Sequence, residues 1–171
     1  METKLYQTAK EFFKFLNNYE ADIWIRGSRA YDVNGELIAE YNTKKTMKKV
    51  SFDFDSTLSK PSVQQYAKGL IQRGFEVWIV TSRFGFGKEP NPQWNDDVFE
   101  VAREVGIKKE HIFFTCMANK SEFLKDKDFL FHVDDDNIEL SFIKSDTNVI
   151  PIYLWHNKHW IRDCEIAINK I

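Results

Sequence analysis

From residue 50 onward the chain alternates short apolar runs with amphipathic segments, and this rhythm restricts the fold more than any other feature. The runs are Val50–Phe54, Phe75–Val80, His111–Thr115, Phe129–Val133 and Val149–Leu154. Between them, Pro61 suits a first helical turn ahead of Val63, Tyr66, Ala67, Leu70 and Ile71 on one face. Asn95 stands where a helix cap is needed before Val98, Phe99, Ala102 and Val105. Strands covered on both faces read as continuous apolar runs, and parallel neighbours need helical crossovers. The expectation is an α/β domain with a parallel sheet of about five strands and helices on both faces. Trp155, Trp160, Ile161, Ile166 and Ile168 predict a C-terminal helix docked on it.

The first 47 residues do not share the rhythm and read as an extension, 1–47, ahead of a core spanning 48–171. Leu5, Ala9, Phe12, Phe13 and Leu16 predict an amphipathic helix within Lys4–Asn17. Val33-Asn34-Gly35-Glu36, set between Tyr31 and Leu37-Ile38, predicts a hairpin closed by a two-residue Asn-Gly turn. The basic stretch Lys44-Lys45-Thr46-Met47-Lys48-Lys49 ends the extension, as a solvated edge or an attractor for anions.

Composition removes whole classes. With 24 basic and 26 acidic residues the net charge is −2, which excludes a broadly basic nucleic-acid coat. Hydrophobic residues at 43% suffice for a core and exclude wholesale disorder. No apolar run approaches the roughly 20 residues of a membrane span, and Met1-Glu2-Thr3-Lys4 lacks a signal-peptide core. Cys116 and Cys164 alone support neither a disulfide scaffold nor a four-ligand zinc site. A soluble, cytoplasmic protein without a membrane partner is expected; its oligomeric state is left open.

In an open parallel sheet, ligands bind beyond the carboxyl ends of the strands. Polar residues collect there: Asp53 and Asp55 after the first run, Thr81-Ser82-Arg83 after the second, Asn119-Lys120 after the third, and Asp134-Asp135-Asp136 after the fourth. Carboxylates crowded together need a cation, and hard oxygen ligands with room for phosphate suit Mg²⁺. Thr81, Ser82, Lys120 and Arg83 offer phosphate-oxygen partners. Arg83 reads equally as half of a structural ion pair. Lys120 is preferred over Lys125 and Lys127 because Asn119 would cap its helix at the strand end. His132 reads as a satisfied core histidine and Cys116 as a small buried residue.

These residues, over roughly Lys48 to Leu154, resemble the haloacid dehalogenase-like hydrolase (HAD) superfamily. Asp53-Phe54-Asp55-Ser56-Thr57 looks like its first motif, Val77–Thr81 like its second, Lys120 like its third, and Phe131–Asp135 like its fourth. The resemblance implies a Rossmann-like core and a phosphomonoester hydrolase. In it Asp53 is the nucleophile, Asp55 the acid and base, Thr81 a phosphoryl binder and Lys120 its partner. It implies Mg²⁺ held by Asp53, the Asp55 carbonyl and Asp134, with Asp135 a direct or supporting ligand. Members of the superfamily often carry a cap domain in one of two gaps; neither Leu58–Phe75 nor Arg83–Glu110 has room for one here, so the resemblance implies an open site, which in the family goes with large substrates. Phe84, Phe86 and Trp94, with two glycines between, favour a nucleotide or nucleic-acid end. Sugar phosphates and phosphoproteins are the rival substrates. A phospho-acceptor receiver is the rival class, although there the paired acids precede the phosphorylated aspartate; a non-catalytic binding module is a further one.

Overall fold

The computed structural model describes residues 3–6, 9–19, 22–26, 29–41, 47–85 and 95–169. The chain divides into two compact units, Met1–Thr46 and Met47–Ile171.

In the second unit the strands are β5 (Lys49–Phe52), β6 (Glu76–Thr81), β7 (Ile112–Phe114), β8 (Phe129–Asp134) and β9 (Ile150–Tyr153). All neighbours are parallel, in the spatial order β7-β6-β5-β8-β9. The first strand of the unit therefore lies at the centre, with later strands added on either side. This is the Rossmann-like order, and its switch point falls between β5 and β8. Each strand sits within a few residues of its predicted run, because its apolar side chains have nowhere else to be buried.

Helices α2 (Pro61–Gln72), α3 (Asp96–Val105) and α6 (Trp160–Asn169) share one core with the sheet. Val63, Ala67 and Leu70 from α2, Val98 and Ala102 from α3, and Ala167 from α6 meet Val50, Phe52, Ile79, Phe131 and Val133 there. Pro61 opens α2 as expected, and Gly106 in the left-handed region (φ 93°) stops α3. On the opposite face α4 (Lys120–Leu124) and α5 (Asn137–Asp146) bury Leu124, Leu140 and Ile143 against Val80, Phe129 and Val149. Ser51 and His132 alternate with the residues of the first core, so they face the α4–α5 side.

The first unit departs from its expectation. Lys4–Tyr6 is not the start of a helix but a strand, β1, paired parallel with β4 (Leu37–Tyr41). Helix α1 is limited to Ala9–Leu16. With β2 (Ile23–Arg26) and β3 (Arg29–Asp32) the sheet order is β1-β4-β3-β2, over a small core of Phe12, Leu16, Ala30, Ile38 and Ala39. The hairpin forms between β3 and β4, but its turn is built differently. Gly35 takes a positive φ of 82° and Asn34 does not. The Asp32 carboxylate accepts the amides of Asn34 and Glu36, both at 2.9 Å, and supplies the closure. The basic stretch at 44–46 lies outside the described residues, as does 86–94 of the aromatic loop. No helix among the described residues is long and apolar enough to cross a membrane.

Candidate phosphate and metal site

The amide of Asp53 donates to the Val133 carbonyl at 2.8 Å, so Asp53 continues the pairing of β5 with β8 one residue past the strand. That places its carboxylate at the switch point. The chain then turns tightly over Phe54–Leu58. Asp55 is extended (φ −66°, ψ 131°) and Ser56 left-handed (φ 54°), and the turn closes with the Leu58 amide on the Asp53 carbonyl. Phe54, Thr57 and Leu58 are buried by this turn, whereas the Asp55 side chain stays 56% exposed.

Lys120, the first residue of α4, reaches between two strand ends. Its Nζ donates to Asp53 Oδ1 at 2.7 Å and to Asp134 Oδ2 at 2.6 Å, and all three residues are buried. Asn119 occupies the position before the helix, yet its side chain makes no cap hydrogen bond. The Lys120 amide donates instead to Glu139 Oε2, from α5, at 3.0 Å. The expected capping role of Asn119 is thus corrected: a neighbouring helix supplies the acceptor. Asn95 likewise makes no side-chain cap: its Nδ2 donates to the Phe84 carbonyl at 2.8 Å, and Asp97 of the same helix accepts the Val98 amide.

Asp134 is held from several sides. Its Oδ1 accepts the Asp136 amide at 2.9 Å, and its Oδ2 lies 3.0 Å from His132 Nε2. His132 Nδ1 is 2.9 Å from Ser51 Oγ. Burial holds the imidazole pKa below its usual value, so a neutral ring protonated on Nε2 satisfies both contacts. Burial alone would raise Asp134, but His132 and Lys120 outweigh it and hold the acid at about 2. Asp53 goes the other way: burial, reinforced by the Asp134 charge against the pull of Lys120, pushes it up to about 7. Burial works against the Lys120 charge, yet the two carboxylates more than offset it and its pKa is raised.

Carboxylate oxygens of Asp53, Asp134 and Asp135 all lie within 4.8 Å of one another. Asp135 is half-buried, and Thr57 Oγ1 donates to its Oδ1 at 3.3 Å. This donor set is all hard oxygen and carries more negative charge than one lysine balances, and it fits Mg²⁺. Thr81 lies buried two residues beyond Ile79, the register partner of Phe52, so it stands beside the turn after Asp53. Ser82 follows it, half-buried, with its carbonyl accepting the Met117 amide.

Arg83 sits at the rim. It forms ion pairs with Asp55 at 2.6 Å and with Asp97 at 2.7 Å. Cys116 is half-buried with a positive φ of 55°, not fully buried as expected. The structure thus joins Asp53, Lys120, Asp134 and Asp135 into one cluster and Asp55 with Arg83 into another. Ser51, Asp97 and Glu139 were not singled out from the sequence. Ser51 did leave a signal there, as a polar residue between Val50 and Phe52. The chain matches no protein-family model and no curated protein sequence.

Proposed function

We propose that the protein is a Mg²⁺-dependent phosphomonoester hydrolase of the haloacid dehalogenase-like type, acting through an aspartyl-phosphate on Asp53. The observation that carries this reading is the buried bridge of Lys120 between Asp53 and Asp134 at the switch point. Lys120 occupies Oδ1 of Asp53, which leaves Oδ2 to attack phosphorus. As that bond forms, the bond to the ester oxygen breaks, and protonated Asp55 gives this oxygen its proton. Asp55, now a carboxylate, takes a proton from water; the water oxygen attacks phosphorus and releases inorganic phosphate and Asp53. Such acid–base assistance is worth about 10²–10⁴-fold. The hydroxyls of Thr81 and Ser82 and the Lys120 ammonium hold the transferring phosphoryl oxygens. Asp53, Asp134 and Asp135, with the Asp55 carbonyl, would hold Mg²⁺, whose charge lets a phosphate dianion approach these acids.

Between β5 and β6 the described chain holds the turn and α2 alone, which favours an open site and a large substrate such as a nucleotide or nucleic-acid end. A panel of mononucleotides, 3′- and 5′-phosphorylated oligonucleotides, sugar phosphates and phosphopeptides tests the proposal. Turnover is expected with Mg²⁺, lost on chelation, and poorly restored by Ca²⁺, which prefers longer bonds. Asp53→Asn should lower kcat by about 10³-fold or more without unfolding the protein. One stoichiometric phosphorylation without turnover would instead indicate a phospho-acceptor. Sugar phosphates cleaved at least about tenfold better than every nucleotide, a difference of about 1.4 kcal/mol, would remove the nucleic-acid assignment.

A further inference from the structure

The Arg83 guanidinium is gripped on two sides. Its Nε and Nη2 donate to Asp55 Oδ2 and Oδ1 at 2.8 and 2.6 Å. Its Nη1 and Nη2 donate to Asp97 Oδ1 and Oδ2 at 2.7 and 3.0 Å. The Phe54 ring lies 4.9 Å from the guanidinium carbon. Asp97 belongs to the first turn of α3, and its Oδ1 also accepts the Val98 amide at 2.9 Å. At the base of the side chain, the Arg83 carbonyl accepts the Cys116 amide at 3.1 Å, fastening it to the loop after β7.

Two bidentate forks employ most of the N–H donors a guanidinium has, in the planar geometry that suits carboxylates. Donors committed to Asp55 and Asp97 do not grip phosphate. What the clamp does fix is the carboxylate of Asp55, which otherwise stands half exposed on a turn that includes a left-handed serine. We infer that Arg83 and Asp97 form a positioning pair: Asp97 aims the guanidinium, and the guanidinium, keeping Asp55 Oδ2 on its Nε while Nη2 stays with Asp97, sets where Oδ1 stands as it carries the proton to the leaving oxygen. This rests on Asp53 as nucleophile and Asp55 as acid. It replaces the expectation that Arg83 contacts the phosphoryl group.

The two roles separate by leaving group. Proton delivery matters for an alkoxide and hardly at all for nitrophenolate, whereas phosphate capture matters equally for both. The test compares p-nitrophenyl phosphate with an alkyl phosphate such as β-glycerol phosphate, for wild type, Asp97→Asn, Asp97→Glu, Arg83→Lys and Arg83→Gln, with melting temperatures alongside. Asp97→Asn, Arg83→Lys and Arg83→Gln should lower kcat/KM, which reports formation of the aspartyl-phosphate, by about tenfold or more on the alkyl ester and by less than about threefold on the aryl ester. Asp97→Glu should recover part of the difference. Equal losses of kcat/KM on both esters overturn the inference: at an unchanged melting temperature they make Arg83 a phosphate binder, and tracking a fall in melting temperature they make the clamp a brace for the fold. A wild type that hydrolyses neither ester nor any member of the phosphate panel overturns the phosphatase proposal and this inference with it.

Discussion

Lys120 and Arg83 each bridge two aspartates near the carboxyl edge of the same sheet, and their surroundings differ. The Lys120 side chain is 3% exposed, between partners at 7% and 1%. Arg83 is 24% exposed, between partners at 56% and 54%. In the sealed cluster water cannot replace a missing partner, so each charge depends on the others and the surplus negative charge calls for a cation. At the rim, water stands ready, and the pairing mainly fixes orientation. The same residue types therefore create a demand for a ligand in one place and geometry in the other.

The contrast can be broken most sharply by removing each cation in turn. Lys120→Met leaves two buried carboxylates facing each other and should cost about 3–5 kcal/mol in urea unfolding without divalent metal. Arg83→Met should cost about 1 kcal/mol or less. Equal costs would show that burial is not what separates the clusters.

A pH series sharpens the comparison further. Asp53 carries a folded-state pKa of about 7 against an ordinary 3.8, so the folded state retains a proton that the unfolded chain releases. Its contribution is fully present below about pH 3.8 and is lost as pH rises through 7. Asp134, lowered to about 2, contributes above 3.8 and loses this only as pH falls through 2. His132, held neutral by burial, contributes above its ordinary 6.5 and loses this as pH falls. Asp134 titrates below the window from pH 4 to 7, and His132 touches Ser51 and Asp134, so subtracting the Asp53→Asn curve leaves chiefly Asp53 in that window. In chelator, the stability of wild type relative to Asp53→Asn should fall between pH 4 and 7, as read from urea midpoints at constant slope. A flat difference would mean that Asp53 is not the strained acid.

The smallest effect belongs to the support behind the cluster. Glu139→Ala removes the acceptor of the Lys120 amide and should cost about 1 kcal/mol, the usual worth of a helix cap. Hydrogen exchange at the Lys120 amide should speed up in that variant; unchanged protection would show that another acceptor takes over.

The strands and most helices of the second unit were legible because burial on two faces leaves an apolar run few alternatives. Helix α5 was less so, since Ile138 and Phe142 are exposed and only Leu140 and Ile143 mark a buried stripe. In the first unit Leu5, Ala9 and Phe12 mimic a helical face, but pairing with β4 overrides that local pattern at Lys4–Tyr6. Among the clustered residues, Asp53, Asp134 and Asp135 were legible from their places at strand ends, whereas Lys120 was singled out through an Asn119 cap that the structure does not form. Asp97 and Glu139 act through partners 14 and 19 residues away in sequence, and no local spacing announces such a pair.

Helix α4 has only five residues, too few to persist in water by its own propensity. Its first amide is completed by Glu139, and Ser121 Oγ donates to Asp146 Oδ2 at 3.2 Å, so both attachments lead to α5. The lysine that spans the acids is thus presented by a segment tied to α5 by hydrogen bonds and to the sheet by Leu124 and Phe123. In the finished protein, a tilt of α5 would act as a lever on the ammonium through the hydrogen bond borrowed from Glu139.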